Sequence, residues 1–95
     1  MRKESERDGW LGFLTLCFRA ETPDELDELL WVFLTHEERK DLTTRYLIVR
    51  ELIDGKKTQR DLAKELGVSI AKITRGSNFL KLINEKLKRR LENHF

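Results

Sequence analysis

Three observations predict an all-α chain of six helices with a helix-turn-helix inside it. The stretch Gln59 to Arg75, QRDLAKELGVSIAKITR, has the layout of a DNA-reading helical pair; apolar residues recur at helical spacing along nearly the whole chain; and no segment alternates as a β-strand does. Each helix has its own start signal. Acidic residues precede Trp10, Leu11, Phe13, Leu14 and Phe18, an apolar stripe that defines the first helix. Thr22-Pro23-Asp24-Glu25 opens the second: threonine caps, proline takes the first helical position, and Glu25 completes a capping box. Leu26, Leu29, Leu30 and Phe33 form the side expected to be buried.

The third helix starts at Thr35, with Glu37 and Glu38 in its first turn. Its apolar positions Leu42, Tyr46, Val49, Leu52 and Ile53 run to a stop at Asp54-Gly55. Thr58 caps the fourth helix, and Asn84 caps a last one that carries Leu87 and Leu91. Between them lies the helix-turn-helix. Leu62 and Leu66 share a face, Ala63 is small enough for a second helix to cross close by, Gly67 makes the turn, Val68 tucks beneath it, Ser69 caps the next helix and Ile73 anchors that helix inward. Ile70, Ala71, Lys72, Thr74 and Arg75 are left facing outward, a small and basic face suited to a major groove. A plain helical hairpin would share the glycine turn and the apolar spacing, but has no need of that face.

Ninety-five residues make one domain, too short to shield all of its apolar surface alone, so a partner subunit is expected. Charged residues make up 38% of the chain and apolar ones 39%, the balance of an ordered helical protein. Cys17 has no partner in the chain and sits among Leu14, Leu16 and Phe18, so it reads as a buried reduced thiol. No apolar run approaches a membrane span and the start MRKESERDG is too charged for a signal peptide; a cytoplasmic protein without membrane attachment is expected. The net charge of +2 hides an asymmetry: Met1 to Asp54 carries 8 Lys+Arg against 13 Asp+Glu, net −5, and Gly55 to Phe95 carries 11 against 4, net +7. The basic half holds the helix-turn-helix, where positive charge favours phosphate contacts. The terminal run Lys86, Lys88, Arg89 and Arg90 is by itself an ordinary solvated face.

Leu42-Thr43-Thr44-Arg45, then Gln59-Arg60-Asp61-Leu62, then Ile73-Thr74-Arg75-Gly76-Ser77-Asn78 followed by Leu80-Lys81, resembles the Trp repressor family in order and spacing. The run ITRGSN is the most specific piece, and the resemblance extends from Trp10 to the last helix. It implies an intertwined homodimer that represses tryptophan-metabolism genes by binding operator DNA when L-tryptophan is present as corepressor, with no other cofactor. The domain plan it implies is a single domain over 1–95, with dimerisation core helices in 1–54, the helix-turn-helix in 58–79 and the C-terminal helix in 84–95.

The residue types suit such a ligand. Two guanidiniums can sandwich the flat indole, and Arg45 and Arg75 are the candidates; Arg75 can also pair with the carboxylate. Taken singly, either arginine is an ordinary surface or phosphate-contacting residue, so it is the constellation that points to a ligand. The α-ammonium needs acceptors, which the carbonyls ending the second helix around Val32 and Leu34 can supply. The resemblance further implies that those carbonyls come from the other subunit, that Thr35 binds the carboxylate, and that Gly76 and Phe79 line the site. Phe79 stands where better-known members have a serine whose hydroxyl helps hold the ammonium, which implies a shifted ligand preference. For DNA, Gln59, Arg60, Ile70 and Thr74 match the family, Ala71 and Lys72 complete the outward face, and Lys72 and Ala63 depart from some members, so base preference does not carry over.

An enzyme is not expected. His36 and His94 lie far apart in sequence, and there is neither a glycine-rich phosphate loop nor a metal-ligand cluster. Two other readings stay open on the sequence: a ligand-independent helix-turn-helix module of the transposase kind, and a helical protein-interaction domain that binds no DNA. The first lacks a reason for keeping both arginines, and the second calls for an apolar face where Lys72, Thr74 and Arg75 stand.

Overall fold

A computed structural model describes residues 5–95, and among them every regular element is helical: α1 (Glu6–Phe18), α2 (Pro23–Phe33), α3 (His36–Asp54), α4 (Gln59–Leu66), α5 (Ile70–Leu82) and α6 (Glu85–His94). Side chains close most of the helix starts. Thr58 accepts from the N–H of Asp61 at 3.1 Å, Ser69 from Lys72 at 3.3 Å and Asn84 from Leu87 at 2.8 Å, as their spacing predicted. Each such cap contributes about 1 kcal/mol. At α1 the acidic residues do more than complement the helix dipole: Asp8 accepts from the N–H of Ser5 while the Ser5 hydroxyl accepts from that of Asp8, a closed capping box.

At α2 the expected box does not close. Thr22 caps the N–H of Glu25 at 3.2 Å, but the Glu25 carboxylate reaches past Thr22 to the N–H of Glu21 at 2.8 Å. Glutamate is one methylene longer than the Asp8 that closes the box in α1, and its reach selects the earlier donor.

Within one chain the contacts form two compact units, divided between Glu37 and Glu38. The second unit holds the core: Ile48, Leu62, Ala63 and Ile73, with Leu52, Leu66 and Val68 partly buried against them. Leu62 and Ile73 are fully enclosed, so α4 and α5 meet on the residues that the helix-turn-helix reading assigned. Ile48, 3% exposed, is the buried residue of α3, whereas Leu42 and Tyr46 are about half exposed. The inward direction runs through Ile48 and Leu52, a turn apart, and Tyr46 lies off it, its ring against Phe95 and its hydroxyl 3.1 Å from Nε2 of His94.

Past the stop at Gly55, Lys57 ties the end of α3 to α4. Its ammonium stands 2.7 Å from Glu65 and 3.7 Å from Glu51. The hydrogen bond to Glu65, helped by the charges of both glutamates and of Asp54, raises its pKa above the ordinary 10.5. A raised lysine pKa means that the clamp acts in full below pH 10.5 and is lost only as the pH climbs through the raised value.

The first unit has no buried residue in α1 or α2. Phe13 meets Phe33 edge to face at 5.2 Å and stacks on Trp10 at 5.7 Å, yet Phe18 is 90% exposed and Val32 77%. The expected buried side of α2 is therefore only partly covered: Leu26, Leu29 and Leu30 are half-buried and Phe33 is exposed. Cys17 is likewise half-buried rather than enclosed. Two helices cannot cover one another's apolar faces without a third surface.

Gly67 ends α4 in the left-handed region, φ 66°, where its N–H and that of Val68 both return to the carbonyl of Ala63. Nothing lies within 4 Å of a Cβ built there, so a side chain at this position is opposed by backbone conformation alone. Gly67→Ala is expected to lower the free energy of unfolding by about 1 kcal/mol in denaturant titration. An unchanged midpoint and slope would show that the turn does not depend on the left-handed residue.

Candidate ligand cavity and nucleic-acid interface

The helix-turn-helix is held together at its ends as well as in its core. The Thr74 hydroxyl on α5 donates to Oε1 of Gln59, the first residue of α4, at 3.0 Å. Two residues assigned separately to DNA binding thus form one unit. The bond holds the amide of Gln59 against α5 through its oxygen and leaves its NH₂ as a donor. Ile70, Ala71 and Thr74 are exposed and follow i, i+1, i+4 on one face of α5, as expected for a face that meets a groove. Arg60 and Lys72 are also exposed, and neither makes an ion pair among the described residues.

The adjacent face of α5 does something else. Lys72, Arg75, Gly76, Phe79 and Leu80, followed by Ile83, recur at three- and four-residue steps and line a cavity of about 560 Å³. Its other wall is a matching stripe on α3: Asp41, Thr44, Arg45, Ile48 and Val49. This volume is in the range of small-molecule sites, and the lining combines apolar residues with four charged ones, Asp41, Arg45, Lys72 and Arg75.

Gly76 sets how near the two walls come. A Cβ added there would lie 3.1 Å from Cγ2 of Ile48 and 3.4 Å from Cδ1 of Leu52, so only glycine lets α5 run this close to α3. Ile48 has little room to yield, because it is itself core. Gly76, assigned to ligand binding from the sequence, lines the cavity and lies close over Ile48 and Leu52.

Arg45 and Arg75, predicted as a pair and 30 positions apart in sequence, are brought to one cavity from two helices. Neither guanidinium has a carboxylate partner or a hydrogen bond to another described residue, so both are available to a ligand. The threonines beside them are committed as donors elsewhere: Thr44 to the carbonyl of Lys40 at 3.1 Å, Thr74 to Gln59. Phe79 lines the same cavity, 64% exposed, and offers a ring face with no acceptor. Val32, Leu34 and Thr35 lie in the first unit and are not among the lining residues. Lys72, assigned to DNA from the sequence, belongs to the cavity rim as well. Asp41, Ile48 and Val49 were missed. Counting three or four positions either way from Arg45 along α3 would have found them.

No group of three or more His, Cys, Asp or Glu side chains suited to a metal occurs among the described residues, and no helix is long and apolar enough to cross a membrane.

Comparison with known proteins agrees with this geometry. The profile of the family described as Trp repressor protein matches residues 8–95. A Trp operon repressor homolog of Chlamydia trachomatis serovar D is 47% identical over 90 residues, 95% of this chain and 96% of that protein. One from Chlamydia caviae is 46% identical over 93 residues, 98% and 92% of the two chains. A third, from Vibrio vulnificus strain YJ016, is 41% identical over 91 residues, 96% and 89%. A match across nearly the whole chain, on a helical fold that brings Arg45 and Arg75 to one cavity beside a helix-turn-helix, leads to one conclusion: the chain belongs to the Trp repressor family.

Proposed function

We propose that this protein is a cytoplasmic, homodimeric transcriptional repressor of tryptophan-metabolism genes, which binds operator DNA when L-tryptophan occupies the cavity between α3 and α5. The observation that carries this reading is that α5 serves both purposes. One of its faces lines the cavity with Lys72, Arg75, Gly76 and Phe79, and the next presents Ile70, Ala71 and Thr74 outward. A ligand wedged against the first face sets the attitude of the second. No enzymatic step and no further cofactor enters the scheme.

In this reading Arg45 and Arg75 stack on the two faces of the indole and Arg75 draws the carboxylate. Gly76 and Phe79 complete the wall. The carbonyls around Val32 and Leu34, together with Thr35, come from the partner subunit and close the polar end of the ligand. On the DNA side, Arg60 and Gln59 hold the backbone while Ile70, Ala71, Lys72 and Thr74 face base edges. Residues 1–54 supply the intertwined dimer core, 58–79 the helix-turn-helix and 84–95 a closing helix. The exposed Trp10, Leu14, Phe18, Trp31, Val32 and Phe33 support this arrangement, since an apolar surface of that extent calls for a second copy to cover it.

A twofold dimer offers two copies of α5 to successive major grooves, roughly 34 Å apart. The Trp repressor itself is among the proteins that this spacing describes. With the cavity empty, the two helices need not keep that spacing. L-tryptophan then acts by binding one orientation better than the others.

Calorimetry tests the cavity. L-tryptophan should bind the native protein with one site per chain, and Arg75→Ala should weaken binding at least tenfold while the protein stays folded, since an ionic hydrogen bond is worth about 1.5–3 kcal/mol. Equal affinities in the two proteins would remove Arg75 from the site. The dimer has its own test. If the first two helices are covered only by a second copy, the melting temperature should rise with protein concentration, and sedimentation at micromolar protein should show no folded monomer. A folded monomer there would contradict the proposed assembly.

A further inference from the structure

The chain between α3 and α4 is a joint. Gly55, at φ 71°, follows the end of α3 in the left-handed region, and only Lys56 and Lys57 separate it from the cap at Thr58. Across this joint the helix-turn-helix meets α3 through apolar contact, Ile48 and Leu52 against the core residues of α4 and α5. Apolar burial is non-directional, so it holds the pair on α3 without by itself fixing the angle at which the pair sits.

A directional tie crosses the same joint. The Lys57 ammonium stands 2.7 Å from Oε2 and 2.9 Å from Oε1 of Glu65 on α4, and 3.7 Å from Oε2 of Glu51 on α3. Each carboxylate lies three positions past a core residue of its own helix, Glu51 after Ile48 and Glu65 after Leu62, so the bridge runs along the edge of the core. Glu51 is the least exposed of the three side chains, which leaves its charge the least screened, and its other oxygen takes Arg50 at 3.2 Å. With this bridge closed, α3 and α5 stand at the angle that brings Arg45 and Arg75 to one cavity.

We propose that Lys57 is a positioning residue for the ligand: it holds the helix-turn-helix at the angle that forms the cavity, and so raises the affinity for L-tryptophan from outside the site. Lys57 does not line the cavity. Its effect is on the fraction of free protein whose cavity is already formed, and apparent affinity falls with that fraction. The proposal rests on the reading of the cavity as a tryptophan site that controls DNA binding. In that reading operator DNA selects the same angle, so bound DNA takes over what Lys57 does in the free protein.

The test is calorimetry of L-tryptophan with the native protein, Lys57→Met and Lys57→Arg, each free and saturated with DNA that the native protein selects from a random pool. Lys57→Met keeps an unbranched apolar stem and loses the ammonium, while Glu51 keeps Arg50, so both variants fold, which melting curves verify. Free Lys57→Met should bind tryptophan about two- to fivefold more weakly than the native protein, the span of an exposed ion pair. On DNA it should bind tryptophan as well as the native protein does, and Lys57→Arg should stay near native in both states. An unchanged affinity in free Lys57→Met overturns the proposal and leaves the tryptophan site intact. So does an equal loss with and without DNA, which marks a structural weakening rather than a lost restraint on the angle. A native protein that binds no tryptophan, or binds it equally well with and without DNA, overturns the functional reading, and the role of Lys57 with it.

Discussion

The approach of α5 to α3 at Gly76 is the constraint on which the rest of this molecule depends. Ile48 is packed from below by Leu62, Ala63 and Ile73 and from above by the backbone of Gly76, with 3.1 Å between its Cγ2 and where a Cβ would stand. A Cβ there would require Ile48, itself core, to give by a few tenths of an ångström. The cavity between the α3 and α5 stripes and the outward face of Ile70, Ala71 and Thr74 share this one helix. In the proposed function, ligand site and DNA-reading face are thus carried by one helix, which is the condition for one to control the other.

That linkage needs α5 to be held firmly along one side and freely along the other. On the firm side are Ile73 in the core, the serine cap at Ser69 and the hydrogen bond from Thr74 to Gln59, so α4 and α5 move as a pair. Lys57, bonded to Glu65 on α4 and near Glu51 on α3, is the other tie between that pair and α3. The free side is the cavity, where four charged side chains stand without protein partners. Unpaired charges of this kind add nothing to the stability of the empty protein, and become useful only when a ligand of opposite charge arrives.

Much of this was legible in the sequence because it rests on local rules. The caps at Thr22, Thr58, Ser69 and Asn84, the turn at Gly67 and the core of the helix-turn-helix follow from residue type and spacing. The pairing of Arg45 with Arg75 came from the family resemblance together with the chemistry of an indole; no periodicity could supply it, since the two lie on different helices. Ile48 was not singled out because the apolar residues of α3 cover more than one face, and only the packing of α4 and α5 decides which face is inward. The covered side of α2 was overestimated for a related reason. Periodicity shows that a face is apolar but not that one chain buries it, and here the face is only partly covered. Asp41 was passed over because an acidic residue on a charged helix carries no signal until the opposite wall is known. The reach of Glu25 past Thr22 to Glu21 was likewise beyond spacing rules, which do not resolve one methylene.

The central claim is that occupation of the cavity fixes the DNA-reading helices. It is tested most directly by selecting DNA from a random pool with the protein in saturating L-tryptophan, then measuring affinity for the selected sequence with and without the ligand at one fixed salt concentration. A clear gain in affinity with tryptophan is expected, matched by an equal gain in tryptophan affinity when the selected DNA is bound. Equal DNA affinity in the presence and absence of tryptophan would contradict the account and leave a helix-turn-helix protein whose cavity has no part in reading DNA.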